Sequence, residues 1–153
     1  MKILLDTNII VDILAQRKPF FDSSFSLLNA IYDKNHTPCI SASAVTDIVY
    51  ILRKYISDKK KLLDTVKNFL KLVAILPTTQ HTVSNAFLLN LDDYEDAVQL
   101  QVAMENKISK IITRNRKDFH SHIVAIQTPE DFLLEQIPCP ARRQILKCTD
   151  FSL

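Results

Sequence analysis

Three short acidic motifs stand far apart in this chain, each beside an apolar run. They occupy residues 4–8, 92–97 and 113–119, and they contain Asp6, Asp96 and Asp118. Carboxylates that are brought together repel one another and lose solvation, so such a cluster usually binds a divalent cation that prefers oxygen ligands, Mg²⁺ or Mn²⁺. The sequence therefore predicts a metal site if the fold brings the motifs together.

Asp6 lies between an apolar run and a series of apolar residues at helical spacing, which places it where a buried strand turns into a helix. One interpretation is a helix cap, a common role for Asp at such a position. The other is a metal ligand, because Asn8 can supply the cap itself. Asp12, about one turn further on, is expected to face solvent.

Four carboxylates stand at the start of a predicted helix: Asp92, Asp93, Glu95 and Asp96. Acids in a first turn stabilise a helix by about 0.3 to 1 kcal/mol each through its dipole, which explains one or two of them better than four. Asp93 and Asp96 share a face and repel each other unless a cation lies near them. Asp96 is therefore the favoured ligand of this motif, and Asp93 is a second candidate.

Asp47 interrupts a helical segment whose other residues are mostly small or apolar. Burying an unpartnered carboxylate is costly, so Asp47 either reaches a metal ion or points to water. The sequence leaves both possibilities open.

Basic residues adjoin the third acidic motif, namely Arg114, Arg116 and Lys117. The net charge is only +2, but if several acids gather in one metal site, bases outnumber acids over the remaining surface, which is compatible with a polyanionic substrate. Most basic clusters are simply solvated faces. The position of this one favours contacts with phosphates that flank the reacting bond.

The elements that must position these residues alternate along the chain. Strands are predicted at 2–5, 37–40, 72–76, 110–113 and 123–126. Helices are predicted at 8–15, 21–33, 42–55, 59–71, 80–89 and 94–106, with a last helix opening near residue 129. This alternation favours a parallel sheet covered on both faces, with functional residues at the carboxyl ends of the strands. Asp6 and Asn115 both lie just past a predicted strand end.

The chain contains no glycine. This excludes the glycine-rich phosphate-binding loops and the nucleophile elbow, because each needs backbone geometry that glycine permits most easily. We expect polar residues to adopt the left-handed conformations instead, with Asn90, Asp92, Asn106 and Asn115 as the candidates.

The composition is that of one globular domain. The chain has 153 residues, 47% hydrophobic and 24% charged, with three cysteines and no C-x-x-C spacing. An odd cysteine count fits a reducing compartment better than a disulfide framework. No apolar run approaches the roughly 20 residues that span a bilayer, so we expect a cytoplasmic protein without membrane association.

Together, three segments resemble the signature of the PIN-domain nucleases: Leu5-Asp6-Thr7-Asn8, Asp93-Tyr94-Glu95-Asp96-Ala97, and Thr113-Arg114-Asn115 followed by Lys117-Asp118-Phe119. The resemblance runs from about residue 1 to 136. It includes the segment around Asp47, where most members of the family place Glu. Residues 137–153 are then a C-terminal extension beyond the PIN-like domain.

The resemblance implies a single-domain, three-layer α/β/α sandwich with a five-stranded parallel sheet. The catalytic and metal-binding acids that it implies are Asp6, Asp47, Asp96 and Asp118, with Asp93 as a further candidate ligand. Supporting hydrogen bonds are expected from Thr7, Asn8, Thr113 and Asn115. RNA contacts are expected from Arg114, Arg116 and Lys117.

Many bacterial members of this size are VapC-type toxins that cleave RNA and dimerise. The resemblance therefore implies a Mg²⁺- or Mn²⁺-dependent endoribonuclease that leaves a 5′-phosphate and a 3′-hydroxyl, forms a homodimer and has an antitoxin partner. Two alternatives remain: a non-catalytic interaction module with this fold, and a metal-dependent aspartyl-phosphate phosphatase or receiver domain. The second is disfavoured because Asn8 stands where such a phosphatase has another Asp.

Overall fold

The computed structural model describes residues 1–119 and 121–136, which form five strands, seven α-helices and two short 3₁₀ turns. The strands are β1 (Lys2–Leu5), β2 (Thr37–Ser41), β3 (Ala74–Leu76), β4 (Lys110–Ile112) and β5 (Ala125–Gln127). The α-helices are α1 (Thr7–Leu14), α2 (Phe21–Asp33), α3 (Ala42–Leu52), α4 (Lys59–Phe69), α5 (Gln80–Ala86), α6 (Tyr94–Glu105) and α7 (Pro129–Gln136). The 3₁₀ turns span Phe87–Leu89 and Arg116–Asp118.

All five strands run parallel in one sheet, in the order β3-β2-β1-β4-β5. The chain builds outward from β1 to β3 and then returns past β1 to add β4 and β5 on the other side. The boundary between β1 and β4 is therefore a topological switch point, where a crevice opens at the carboxyl ends of the strands. Leu5 of β1 lies opposite Ile112 of β4, so Asp6 and Thr113 emerge side by side.

Two apolar layers cover the sheet, because successive residues of a strand point to opposite faces. Ile3 and Leu5 pack with residues of α1, α2, α3, α4 and α7, whereas Leu4 packs with α6. Helix α5 packs onto α6 through Ala86 and Ala97. The predicted three-layer α/β/α sandwich with a five-stranded parallel sheet is confirmed.

Several element boundaries differ from the predicted ones by a few residues. The edge strands β3 and β5 begin at Ala74 and Ala125 rather than at 72 and 123. Ile123 supplied the apolar pattern of a strand, but its side chain is 74% exposed. Helix α3 ends at Leu52 instead of 55, and the predicted helix 80–89 divides into α5 and a 3₁₀ turn.

Left-handed backbone conformations occur mainly where helices end. Among the described residues, positive φ angles are found at Gln16 (50°), Asn35 (53°), Asn90 (50°) and Lys107 (55°). The prediction is confirmed for Asn90 and wrong for Asp92, Asn106 and Asn115. A left-handed residue after a helix lets the following N–H reach back to the last carbonyls. Position relative to the helix end, rather than side-chain polarity, therefore decides which residues adopt the left-handed conformation.

The predicted C-terminal extension, 137–153, lies outside the described residues. The division of the chain at residue 136 therefore stays a prediction. None of the helices in residues 1–119 and 121–136 combines the length and the apolar character that crossing a membrane requires.

Candidate metal centre

Polar residues follow the carboxyl ends of β1 and β4 at the switch point. The N–H of Asp6 donates to the Ile112 carbonyl (3.0 Å) and the N–H of Thr113 donates to the Gln127 carbonyl (2.9 Å), so strand pairing continues up to the first polar residues. A cavity of about 260 Å³ opens beside them. We call it the acidic pocket, because its wall carries Asp6, Asp93, Glu95, Asp96 and Asp118. The fold thus brings the three acidic motifs together.

Three hydrogen-bond donors hold the carboxylate of Asp6, which is 4% exposed. Gln99 Nε2 donates to Oδ1 (2.9 Å), Thr113 Oγ1 donates to Oδ2 (2.7 Å), and Asn8 Nδ2 also donates to Oδ2. Asp6 occupies the N-cap position of α1 but makes no side-chain capping bond, so the cap-only interpretation is wrong. Burial raises the pKa of Asp6, and the hydrogen bonds from Thr113 and Gln99 act against that increase.

The first turn of α6 supplies the neighbouring carboxylates. Asp93 is exposed and caps the helix by accepting from the Glu95 N–H (2.8 Å). Thr7 Oγ1 donates to Glu95 Oε1 (2.8 Å). Burial, followed by repulsion from Asp6 and Asp93, raises the pKa of Asp96 to about 7. The surroundings of Asp96 therefore oppose its negative charge, and a bound cation would relieve that opposition.

Gln99, which is not among the residues predicted from the sequence, is hydrogen-bonded to two carboxylates of the pocket wall. Its side chain is 1% exposed, and its Nε2 donates to Asp6 Oδ1 (2.9 Å) and to Glu95 Oε1 (3.5 Å). Its own Oε1 is buried without a hydrogen-bond partner among the described residues. The only sequence signal was its spacing, one turn after Glu95 and Asp96 on the same helix. The sequence distinguishes Glu95 only as one of four acids at the start of a predicted helix.

The fourth predicted acid, Asp47, lies apart from the pocket wall. Asp118 and Asn115 line the pocket from the turn after β4. Asp47 is instead part-exposed on α3, beside Tyr50. Burial raises the pKa of Glu95, and repulsion from Asp47 adds to the increase. Asp47 therefore acts on the pocket electrostatically from its margin.

The predicted supporting residues connect the start of α1 to the segment after β4. Thr113 Oγ1 accepts from the Asn115 N–H (2.9 Å), and Asn8 Oδ1 accepts from the Arg114 N–H (3.3 Å). With the Thr7 bond to Glu95, these contacts join all three motifs. The side chains of Asp6 and Glu95 are thereby held in fixed orientations.

The expectation that Asp12 faces solvent is wrong. Its side chain is fully buried and forms ion pairs with Arg114 (Nε to Oδ2, 2.8 Å) and Arg17 (Nη1 to Oδ1, 3.6 Å). Burial raises the pKa of Asp12, and the two guanidinium groups act against the increase. Helix α1 is buried on nearly every side from Thr7 to Asp12, so it offers Asp12 no solvated face.

The three basic residues predicted to bind RNA lie in different surroundings. Arg114 lines the acidic pocket. Arg116 pairs with Asp131 of α7 (Nη1 to Oδ2, 3.1 Å), and Lys117 is exposed away from the pocket wall. Arg17, which is not among the residues predicted from the sequence, also lines the pocket.

The pocket suits a hard divalent cation, because the atoms that could ligate the metal are carboxylate, hydroxyl and amide oxygens. Within residues 1–119 and 121–136, no three Asp, Glu, His or Cys side chains already stand together as a ligand set. Asp6 and Glu95 are bonded to Gln99 and Thr7 instead. A carboxylate oxygen that accepts one hydrogen bond keeps a further lone pair, so a cation could bind these carboxylates while Gln99 and Thr7 hold them.

The sequence of this chain is similar to those of known proteins. A family model described as PIN domain matches residues 2–117, which include every acid discussed above as a candidate ligand except Asp118. The chain is also 29% identical over 136 residues to Ribonuclease VapC1 of Aquifex aeolicus, covering 86% of this chain and 92% of that protein.

Two solved structures share the fold. VapBC2 from Rickettsia felis, bound to a DNA fragment from its promoter, has a TM-score of 0.68 at 20% identity, covering 84% of this chain and 98% of that chain. VapC20 of Mycobacterium tuberculosis, described as a sarcin-ricin loop cleaving toxin, has a TM-score of 0.57 at 12% identity, covering 79% and 92%. At these identities the similarity concerns the fold alone.

Proposed function

This chain belongs to the PIN-domain family, and we propose that it is a divalent-metal-dependent endoribonuclease that hydrolyses RNA phosphodiester bonds. The proposal depends on one observation: Asp6, Glu95 and Asp96 crowd around a single pocket, where burial and mutual repulsion raise the pKa of Asp96 to about 7. Such crowding opposes folding and is a mark of functional sites. The similarity to Ribonuclease VapC1 supports RNA as the substrate.

Nucleases of this family generally use divalent metal ions, and the hard oxygen donors of the pocket favour Mg²⁺ or Mn²⁺. Asp6 and Asp96 would hold the ion, and Asp118 and Glu95 are the acids next to them on the wall. When bound, the ion would lower the pKa of a water molecule and stabilise the charge that develops on the phosphate.

The residues of the chain prepare the pocket for that reaction. Gln99 and Thr113 keep both oxygens of Asp6 in place, so little reorientation is needed there. The raised pKa of Asp96 means that it binds a proton near neutral pH, which a cation has to displace. Asp93 on the wall and Asp47 at the margin add negative charge. The expected products carry a 5′-phosphate and a 3′-hydroxyl.

We further propose that the protein is the toxin of a toxin–antitoxin pair, works in the cytoplasm and forms a homodimer. Solved complexes with this fold include VapBC2 of Rickettsia felis. The surface carries large exposed apolar side chains, with Tyr50 67%, Phe87 69% and Leu88 79% exposed. Phe87 also stacks on Tyr94, with ring centroids 4.4 Å apart. Apolar groups on a surface suit contacts with other proteins.

Cleavage of RNA tests the catalytic proposal. Single-stranded and structured RNA would be incubated with Mg²⁺ or Mn²⁺ and the parent, Asp6→Asn, Asp96→Asn or Asp64→Asn protein. Asp64 is an exposed acid on α4 and provides the control. We expect cleavage by the parent and by Asp64→Asn only, and none in EDTA. Activity that survives EDTA and both pocket substitutions would refute the proposal.

The biological role requires separate measurements. Induced expression in bacteria should arrest growth for the parent and not for Asp96→Asn, and a co-expressed antitoxin should restore growth. Light scattering reports whether the purified chain is a dimer. An active nuclease that does not affect growth would retain the catalytic proposal and eliminate the toxin role.

A further inference from the structure

Two arginines on the wall of the acidic pocket share one buried partner. We propose that Arg17 and Arg114, both oriented by Asp12, form a subsite that binds a backbone phosphate of RNA next to the bond that is cleaved. This inference rests on the proposed ribonuclease function. It assigns phosphate binding to Arg17 and a positioning role to Asp12.

The geometry leaves donors of both arginines available to a ligand. Asp12 is fully buried, with Arg114 Nε 2.8 Å from Oδ2 and Arg17 Nη1 3.6 Å from Oδ1. The side chains of Arg17 and Arg114 remain 29% and 20% exposed, and both line the pocket. A guanidinium group has five N–H donors in a fork that matches phosphate, so one ion pair with Asp12 does not saturate it.

Backbone and aromatic contacts fix both arginines. Gln16 follows the C-cap of α1 and has φ 50°, and the Arg17 N–H then donates to the Asp12 carbonyl (3.0 Å). The Arg17 guanidinium lies 5.8 Å from the ring centroid of Tyr55. The Arg114 guanidinium lies 4.2 Å from the ring centroid of Phe20. Such pre-organisation lowers the entropy that binding would otherwise cost.

The charges of this cluster do not cancel. One carboxylate faces two guanidinium groups, so the trio of Asp12, Arg17 and Arg114 retains one positive charge. Within residues 1–119 and 121–136, neither arginine forms an ion pair with an acid of the pocket wall. The unbalanced charge is therefore available for an anion that enters the pocket.

A purely structural role explains the arrangement less well. Arg114 alone would neutralise Asp12, and apolar side chains would fill the same space without the desolvation that ion pairs require. The acids of the pocket repel an RNA backbone, whereas two guanidinium groups beside them attract it locally. A phosphate subsite accounts for both the second arginine and its exposure.

The decisive measurement is RNA affinity in EDTA, where no metal-dependent cleavage occurs. A labelled single-stranded RNA oligonucleotide would be titrated at several salt concentrations with the parent, Asp12→Asn and Asp22→Asn. Asp22 is an exposed acid paired with Lys18 (2.7 Å) and serves as the matched control. Both substitutions remove one negative charge, so charge alone predicts unchanged or tighter binding for both. Positioning predicts weaker binding, by about tenfold, for Asp12→Asn only.

Arg17→Gln provides a second test that leaves the pair between Asp12 and Arg114 intact, so it remains informative if Asp12→Asn does not fold. We expect about tenfold weaker RNA binding and a salt dependence whose logarithmic slope falls by about 0.7, the value for one lost contact with a single strand. Arg17→Lys, which keeps the charge without the fork, should restore part of the affinity.

The possible failures are distinguishable. If the parent cleaves RNA while Arg17→Gln binds with the parent's affinity and slope, the subsite is refuted and the nuclease function stands. The same conclusion follows if a folded Asp12→Asn protein binds as tightly as Asp22→Asn. If the parent neither binds nor cleaves RNA, the proposed function fails and the subsite fails with it.

Discussion

Asp96 and Asp12 are both carboxylates withdrawn from water near the same pocket, and burial is the first cause of the raised pKa of each. Their neighbours then act in opposite directions. Arg114 and Arg17 lower the pKa of Asp12, whereas Asp6 and Asp93 raise that of Asp96 further. Two guanidinium groups compensate the charge of Asp12 from within the chain, whereas a cation from outside would compensate the charge of the proposed ligand Asp96. Burial alone therefore does not distinguish a structural carboxylate from a ligand.

Substituting Asp12, which pairs with Arg17 and Arg114, should give the largest change in stability. Asp12→Asn leaves Arg114 without its buried counter-charge, so we expect a loss of about 3 kcal/mol in the free energy of unfolding, measured with urea in EDTA. The double variant Asp12→Leu with Arg114→Met removes both charges and should recover most of that loss. Asp22→Asn should change stability by less than about 0.5 kcal/mol. If Asp12→Asn is as stable as the parent, the ion pairs of Asp12 with Arg114 and Arg17 contribute nothing to stability.

Gln99 donates hydrogen bonds to Asp6 and Glu95 and so offsets part of their negative charge. Its substitution should have the next largest effect. Gln99→Leu deletes the amide that holds Asp6 and Glu95, so Mn²⁺ affinity measured by calorimetry should fall about 10- to 100-fold, as for other residues that orient metal ligands. Gln101→Leu is the matched control, because Gln101 lies on the same helix and donates to Glu105 (3.0 Å) instead. Equal Mn²⁺ affinities for the two variants would rule out an orienting role.

The sequence predicted the carboxylates of the pocket better than it predicted their partners. Asp6 follows β1 and Asp118 follows β4, and a parallel sheet gathers strand ends at one edge whatever the details of packing. Gln99 and Asp12 lie within helices that are buried nearly all round, α6 from Ala97 to Ala103 and α1 from Thr7 to Asp12. Apolar periodicity assigns a face only when one side of a helix is polar and solvated. For these two helices it therefore carried no information about where a polar side chain points.

Because burial and neighbouring acids oppose the negative charge of Asp96, the free energy of unfolding should depend on pH. Its pKa is about 7 in the folded protein and near 3.8 when unfolded, so the stability associated with the protonated form is lost as pH rises through about 7. In EDTA at pH 8, Asp96→Asn should be more stable than the parent by about 1 to 2 kcal/mol, a value reduced because Asp96 is only part-buried. The difference should shrink toward pH 4.

Metal provides the control for that measurement. Mn²⁺ stabilises whichever folded protein binds it, so at pH 8 it should stabilise the parent and abolish the advantage of Asp96→Asn. If the two proteins have the same stability from pH 4 to pH 8, the charge of Asp96 is not opposed by its neighbours.

Asp47 belongs neither to the wall of the acidic pocket nor to the cluster around Asp12, and its substitution should give the smallest effects. It stands off the pocket wall, and its repulsion only adds to the burial that raises the pKa of Glu95. Asp47→Asn should therefore change Mn²⁺ affinity by no more than about threefold, within the range of a solvent-screened charge. Asp47→Glu adds one methylene, which brings the carboxylate closer to the position that most PIN-domain proteins fill with Glu, and should raise Mn²⁺ affinity slightly. Asp96→Asn is expected to abolish RNA cleavage. If Asp47→Asn abolishes it as well, Asp47 moves into the metal site when the cation binds, and α3 supplies one of the metal-binding acids.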